Sequence, residues 1–152
     1  MTDRWLVSIC AGWQQKHSLM VAKSMGLRVI AFDGNANAPC SEIVDLFFNI
    51  DVNNSNSIIK KIEELDILIF CAVSFISDAG LITAGKVNDY FKTNQISEKT
   101  AILFTDKSLQ REIWESNRTL NSPKWELFES GQKRDLQELF KEFSTAVMIK
   151  PV

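Results

Sequence analysis

The sequence predicts an α/β protein: an open parallel sheet with helices on both faces, followed by a partial α+β segment. Three observations carry this. Short β-branched and apolar runs alternate with helix-period segments along the first part of the chain. The runs are too continuously apolar to leave one face wet, which marks buried parallel strands. Their strand-helix-strand order calls for right-handed crossovers, which place helices on the sheet faces.

Trp5 to Cys10 is the first strand. Gln14 to Met25 reads as a helix with Leu19, Met20 and Ala22 inward, and Gly26 stands where a left-handed C-terminal cap is wanted. Val29 to Phe32 is the second strand. The polar run Asp33-Gly34-Asn35-Ala36-Asn37-Ala38-Pro39 is turn-forming, Ile43 to Leu46 reads as a short helical turn, and Phe47 to Ile50 as a third strand. A polar loop, Asp51 to Asn56, leads to a helix from Ser57 to Leu65. Ile67 to Cys71 is the fourth strand, apolar throughout and so expected at the centre of the sheet. Ser77 or Asp78 caps a helix through Phe91.

The character changes around Lys92 to Ser97, which puts a Rossmann-like domain at 1–96 and the start of a second domain at 97–152. Two short helices follow, Glu98 to Phe104 behind Ser97 and Asp106 to Glu115 behind Thr105, before Asn121-Ser122-Pro123 stops helical structure. Trp125 to Phe128 reads as a strand. Asp135 to Phe143 is a helix with Leu136, Leu139, Phe140 and Phe143 on one face, and Ala146 to Ile149 a last strand. A lone edge strand leaves half its backbone groups unpaired. The expectation is therefore a chain truncated at Val152, short of the rest of its second domain.

Composition narrows the function classes. With 152 residues, 45% of them hydrophobic, the chain can bury one real core. Its 17 basic and 19 acidic side chains include no block of about five or six like charges, so nucleic acid and anionic membrane are not expected partners. Cys10, Cys40 and Cys71 are too widely spaced for a zinc site and odd in number for a disulfide framework, which fits a reducing cytoplasm. No segment is apolar for long enough to span a bilayer.

Ligands of open α/β sheets bind outside the carboxyl ends of the strands, so the first turn, Ala11-Gly12-Trp13-Gln14-Gln15, is the first site candidate. A dinucleotide fingerprint wants three glycines for close pyrophosphate approach, and only Gly12 is present, beside bulky Trp13. Asp33 has the position of a ribose-binding acid, but without those glycines it reads as a turn residue. Trp13 is either a stacking face or core under the helix, and Gln14 and Gln15 are either polar ligand contacts or solvated. His17, alone at a helix start, has no positioned partner that would make it a base.

Several pieces in order resemble the N-terminal region of ATP-grasp ligases. They are Gly12-Trp13-Gln14-Gln15, Ala22 with Gly26, Val29-Ile30-Ala31-Phe32-Asp33 with Asn35 and Ala38-Pro39, Asp45-Leu46-Phe47, and Ser77-Asp78. These span the pre-ATP-grasp domain. Beyond it, Thr105-Asp106-Lys107-Ser108-Leu109-Gln110-Arg111 resembles the D-K-x-x-x-R helix start of that superfamily, and Val147-Met148-Ile149-Lys150-Pro151-Val152 its apolar K-P strand ending.

The resemblance implies a carboxylate-amine ligase, forming C-N bonds through an acyl phosphate, with ATP and Mg as cofactors of the parent enzyme. It implies that Lys107 and Lys150 face the nucleotide phosphates and that Gly12 to Gln15 and Ser77-Asp78 line the substrate side. Arg111, four residues after Lys107 on the same helix face, is either phosphate-side or structural; the structural reading is preferred, with Glu115 as an ion-pair partner. The glycine-rich lid and acidic metal ligands of the superfamily follow the point where this sequence stops. No catalytic or metal-binding residue is therefore assigned, no cofactor is expected to bind this chain tightly, and the chain alone is expected to be inactive. The parent's partners would be small-molecule carboxylate and amine substrates, with a homo-oligomer compatible. The competing reading is a stand-alone, non-catalytic Rossmann-like module that binds a nucleotide or a partner protein.

Overall fold

The structure is a computed structural model and describes residues 4–117, 121–133, 135–143 and 147–150. It divides into two compact units, Met1–Thr105 and Asp106–Val152. In the first, strands β1 (Trp5–Ile9), β2 (Arg28–Asp33), β3 (Leu46–Asn49) and β4 (Ile69–Val73) form one parallel sheet in the order β3-β2-β1-β4. Helices α1 (Lys16–Ser24), α2 (Ser55–Glu64), α3 (Asp78–Phe91) and α4 (Glu98–Thr105) complete the unit.

Side chains alternate across a strand, so β1, buried at all five positions, serves two cores. Trp5, Val7 and Ile9 pack with Ile58 and Ile62 of α2 and with Ala84 and Val87 of α3. Leu6 packs on the other face with Leu19 and Ala22 of α1 and with Cys40. Helices thus cover both faces, as expected. Met20, expected inward, is 54% exposed, because the inner stripe of α1 follows the three-residue step from Leu19 to Ala22.

Local chemistry sets the element ends. Gly26 ends α1 with φ +83°. A 3-10 turn at Trp13–Gln15 takes up the start of the expected first helix. The segment expected as a helical turn before β3 is irregular, and the Asp45 carboxylate there accepts from the Val29 N–H (2.7 Å) and pairs with Lys23 (3.1 Å). Burial pushes the Asp45 carboxyl upward, but these partners outweigh it and hold it below its ordinary pKa. Helix α2 begins earlier than expected because the Asn54 side chain accepts from Ser57 N at 3.1 Å.

The fourth strand departs from expectation in position. Among the described residues β4 is an edge strand, hydrogen-bonded only to β1, and its Phe70 is 42% exposed. Its outer edge at Ala72 is closed by a side chain. The Ala72 N–H donates to Asn88 Oδ1 at 2.8 Å, and Asn88 Nδ2 donates to the Ala72 carbonyl at 3.0 Å and to the Ile96 carbonyl at 3.1 Å. A primary amide offers the same donor and acceptor pair as backbone, so Asn88, buried in α3, stands in for a neighbouring strand at this position.

The compositional break at 92–97 lies inside the first unit because α4 docks on α3. The Glu98 N–H donates to Asp89 Oδ2 at 2.9 Å, and a Cβ on Gly85 would lie 2.6 Å from Glu98 N, so only glycine permits this approach.

The second unit contains α5 (Lys107–Ser116) and α6 (Leu136–Phe143). Asp106, not Thr105, caps α5: its Oδ1 accepts from Ser108 N (2.8 Å) and Leu109 N (3.1 Å), while the Thr105 hydroxyl turns back to the Ala101 carbonyl at 3.0 Å. Asp135 starts α6 by accepting from Gln137 N at 2.7 Å, and Leu139 is the buried anchor of that helix, with Phe140 exposed. The strands expected at 125–128 and 146–149 are absent among the described residues, residue 146 lying outside them. A strand needs a partner for its backbone groups, and none is described beside either segment. Side chains anchor the first of these segments instead. Trp125 Nε1 donates to Glu115 Oε1 at 2.6 Å, and Lys124 Nζ donates to the Glu142 carbonyl at 3.2 Å.

Candidate functional site

In the first unit the carboxyl ends of β1 and β4 bring two of the expected loops together. Gly12 opens the 3-10 turn in extended conformation. Gln15 is buried, and its Oε1 accepts from the Phe75 N–H at 3.4 Å, which joins the first turn to the loop after β4. Gln15 is thus the structural tie between the loops, whereas Gln14 is exposed. Trp13 is 65% exposed with Lys16 Nζ 4.5 Å from its ring centre, so it is a solvent-facing ring and not core. Ser77 caps α3 by accepting from Gly80 N at 3.1 Å, and Asp78 is exposed in the first turn. Asp33 acts as the turn residue the sequence indicated: Oδ2 accepts from Ala11 N and Oδ1 from Asn35 N, both at 2.8 Å.

Cys10, which the sequence marks only as the end of the first strand and one of three scattered cysteines, also faces this crevice. It holds a left-handed φ of +85°, unusual without glycine, with its carbonyl accepting from Ser8 Oγ at 2.7 Å. Burial, with a smaller contribution from the Asp33 carboxylate, pushes its thiol pKa up against hydrogen bonds to Ser77 and Ser74 that lower it. The only sequence signal was a non-glycine residue at a strand end directly before Ala11-Gly12.

In the second unit Lys107 and Lys150, distant in sequence, line one open cleft of about 740 Å³ together with Arg111, Trp114, Trp125 and Phe143. That volume is in the range of small-molecule sites, typically about 300–1,000 Å³. Lys107 is the first residue of α5, and Lys150 is exposed on the irregular stretch that ends the described chain. The Arg111–Glu115 ion pair does not form. Glu115 accepts from Trp125 instead, and the Arg111 guanidinium lies 4.6 Å from the ring centre of Trp114. Among the described residues no group of three His, Cys, Asp or Glu side chains is placed to hold a metal. The cleft therefore offers cations and aromatic faces among aliphatic side chains such as Leu127, Leu139 and Ile149, with Glu126 as its one acid, and the cations suit phosphate.

No protein-family model matches the sequence, and no curated protein matches it. Solved structures do match. Phosphoribosylglycinamide synthetase from Anaerococcus prevotii is similar with a TM-score of 0.64 at 25% identity, over 76% of this chain and 29% of its own. N5-carboxyaminoimidazole ribonucleotide synthetase from Thermotoga maritima has a TM-score of 0.67 at 22% identity, over 92% of this chain and 36% of its own. N5-carboxyaminoimidazole synthetase from Staphylococcus aureus, solved in complex with ADP, has a TM-score of 0.60 at 15% identity, over 76% of this chain and 31% of its own. The chain thus spans roughly a third of the length of each of these ATP-grasp enzymes. Sheet order, helix placement and these likenesses agree: the chain carries the Rossmann-like N-terminal fold of ATP-grasp ligases.

Proposed function

We propose that this chain is the N-terminal, substrate-side part of an ATP-dependent ligase that joins a carboxylate to an amine through an acyl phosphate. Residues 1–96 form its pre-ATP-grasp domain, and residues 97–152 begin the ATP-grasp domain. The observation that carries the proposal is the convergence of Lys107 and Lys150 on one cleft. When bound, ATP supplies the phosphoryl group that activates the carboxylate. Lys107, from the first turn of α5, and Lys150 hold phosphate oxygens by charge. An ammonium on a flexible stem is suited to that role. In the first unit Trp13 and Gln14 offer a stacking face and amide donors to the acceptor substrate, along a crevice whose shape Gly12, Gln15 and Ser77 maintain, with Asp78 at its rim.

Phosphoryl transfer also needs groups around the transferring phosphate and metal ions that bridge its oxygens, for which the described residues supply no acidic cluster. In this proposal the chain alone is inactive and binds ATP weakly. The test is a phosphate-release assay with ATP and magnesium, across a panel of amino acids and amines. No release above the buffer rate is expected, and turnover by this chain alone contradicts the proposal.

A further inference from the structure

We infer that Arg111 is a third phosphate-binding residue of the cleft, held ready by Trp114; this rests on the proposed phosphate-side role of Lys107 and Lys150. One helical turn separates Lys107 from Arg111, which puts both on the same face of α5, and both line the cleft that Lys150 also lines. The expected carboxylate partner of Arg111 is engaged elsewhere, since Glu115 accepts from Trp125 Nε1 at 2.6 Å. The described residues give Arg111 no ion pair, only the indole of Trp114, 4.6 Å from the guanidinium carbon.

Stacking uses the flat face of a guanidinium. It leaves the N–H edge free, and that edge is the part that binds a phosphate bidentately. The Arg111 guanidinium makes no ion pair among the described residues and lines the same cleft as Lys107 and Lys150, which likewise make none there. Among the residues lining the cleft are four cations, Lys107, Arg111, Lys124 and Lys150, against the single carboxylate of Glu126, an excess of positive charge that a polyanion complements. The aromatic support reduces the rotamer freedom that Arg111 would otherwise lose on binding. The ligand class is a polyphosphate, with the guanidinium on one phosphate and the lysines on its neighbours.

The test uses the full chain and inorganic tripolyphosphate, followed by NMR through the Trp114 indole N–H at fixed ionic strength, with thermal melting as the control for folding. A saturable shift of the Trp114 resonance is expected. Arg111→Gln should weaken binding by about tenfold, the loss for one charged hydrogen-bond pair, without moving the melting temperature. Arg111→Lys should restore part of it, because the charge remains but the fork does not. Wild-type affinity in Arg111→Gln, with binding weakened by Lys107→Gln or Lys150→Gln, overturns the role of Arg111 and leaves the cleft reading standing. If Arg111→Gln fails to fold, Arg111→Lys decides: weaker binding supports the inference and wild-type affinity overturns it. No saturable shift in the wild type overturns both the inference and the phosphate-side reading.

Discussion

Replacing Asn88 by a leucine of similar size leaves the N–H and C=O of Ala72 without their partners on the outer edge of β4. A buried group stripped of its partner costs about 1–3 kcal/mol, so urea unfolding of Asn88→Leu should show a loss of at least that size. An unchanged midpoint would mean that Asn88 does not close the edge. Nothing in the sequence marked Asn88, because a buried amide in a helix acquires its meaning from the strand beside it. In the sequence Asp45 is one residue of the ATP-grasp-like pattern, and its physical role is to bind the Val29 N–H and Lys23. Its folded pKa is depressed, so its contribution to stability is present above the ordinary carboxylate value of about 3.9 and is lost as pH falls through the lower folded value. The stability gap between wild type and Asp45→Asn should therefore be widest at neutral pH and close on acidification. A gap that stays constant with pH rules this out. Trp13, Gln15 and Arg111 show the limit of composition at this scale. Each offered two readings, and only neighbours in space chose between them: solvent and Lys16 for Trp13, the Phe75 N–H for Gln15, and Trp114 for Arg111.

Among the elements, those that depend on their own residues were legible. The caps at Ser77 and Ser97 and the left-handed Gly26 are local chemistry, and helices α3 and α4 start where the sequence puts them. Elements that depend on partners were not. The apolar run of β4 predicts a central strand, yet the described sheet has it at an edge whose outer side is closed by an amide. The segments at 125–128 and 147–149 have strand-like sequence but no described partner. Helix α5 buries no residue fully, so its cap matters in proportion. Asp106→Ala removes the acceptor for the Ser108 and Leu109 N–H groups and should cost about 1 kcal/mol, read as faster amide exchange along α5. Exchange equal to wild type would show that the cap is dispensable.

At the scale of the whole chain, the alternation of buried runs and amphipathic segments was enough to predict an open parallel sheet covered on both faces. Two-sided burial gives strands without a polar face, and few other architectures require that. The division into units was less legible. A change of composition at 92–97 marks where regular alternation stops, whereas the compact unit extends through α4 because Gly85 lets that helix dock on α3. The functional reading makes the two units chemically different. The first presents polar groups and the Trp13 face at strand ends, without the glycines that pyrophosphate needs. The second presents cations and aromatic rings. The most direct measurement is a backbone amide NMR titration of the full chain with ATP. The account expects weak, saturable shifts confined to α5 and the neighbourhood of Lys150, with Gly12 to Gln15 unmoved. Tight binding that shifts Gly12 to Gln15 and the loop after β4 would contradict it and make this a Rossmann-type nucleotide-binding module instead.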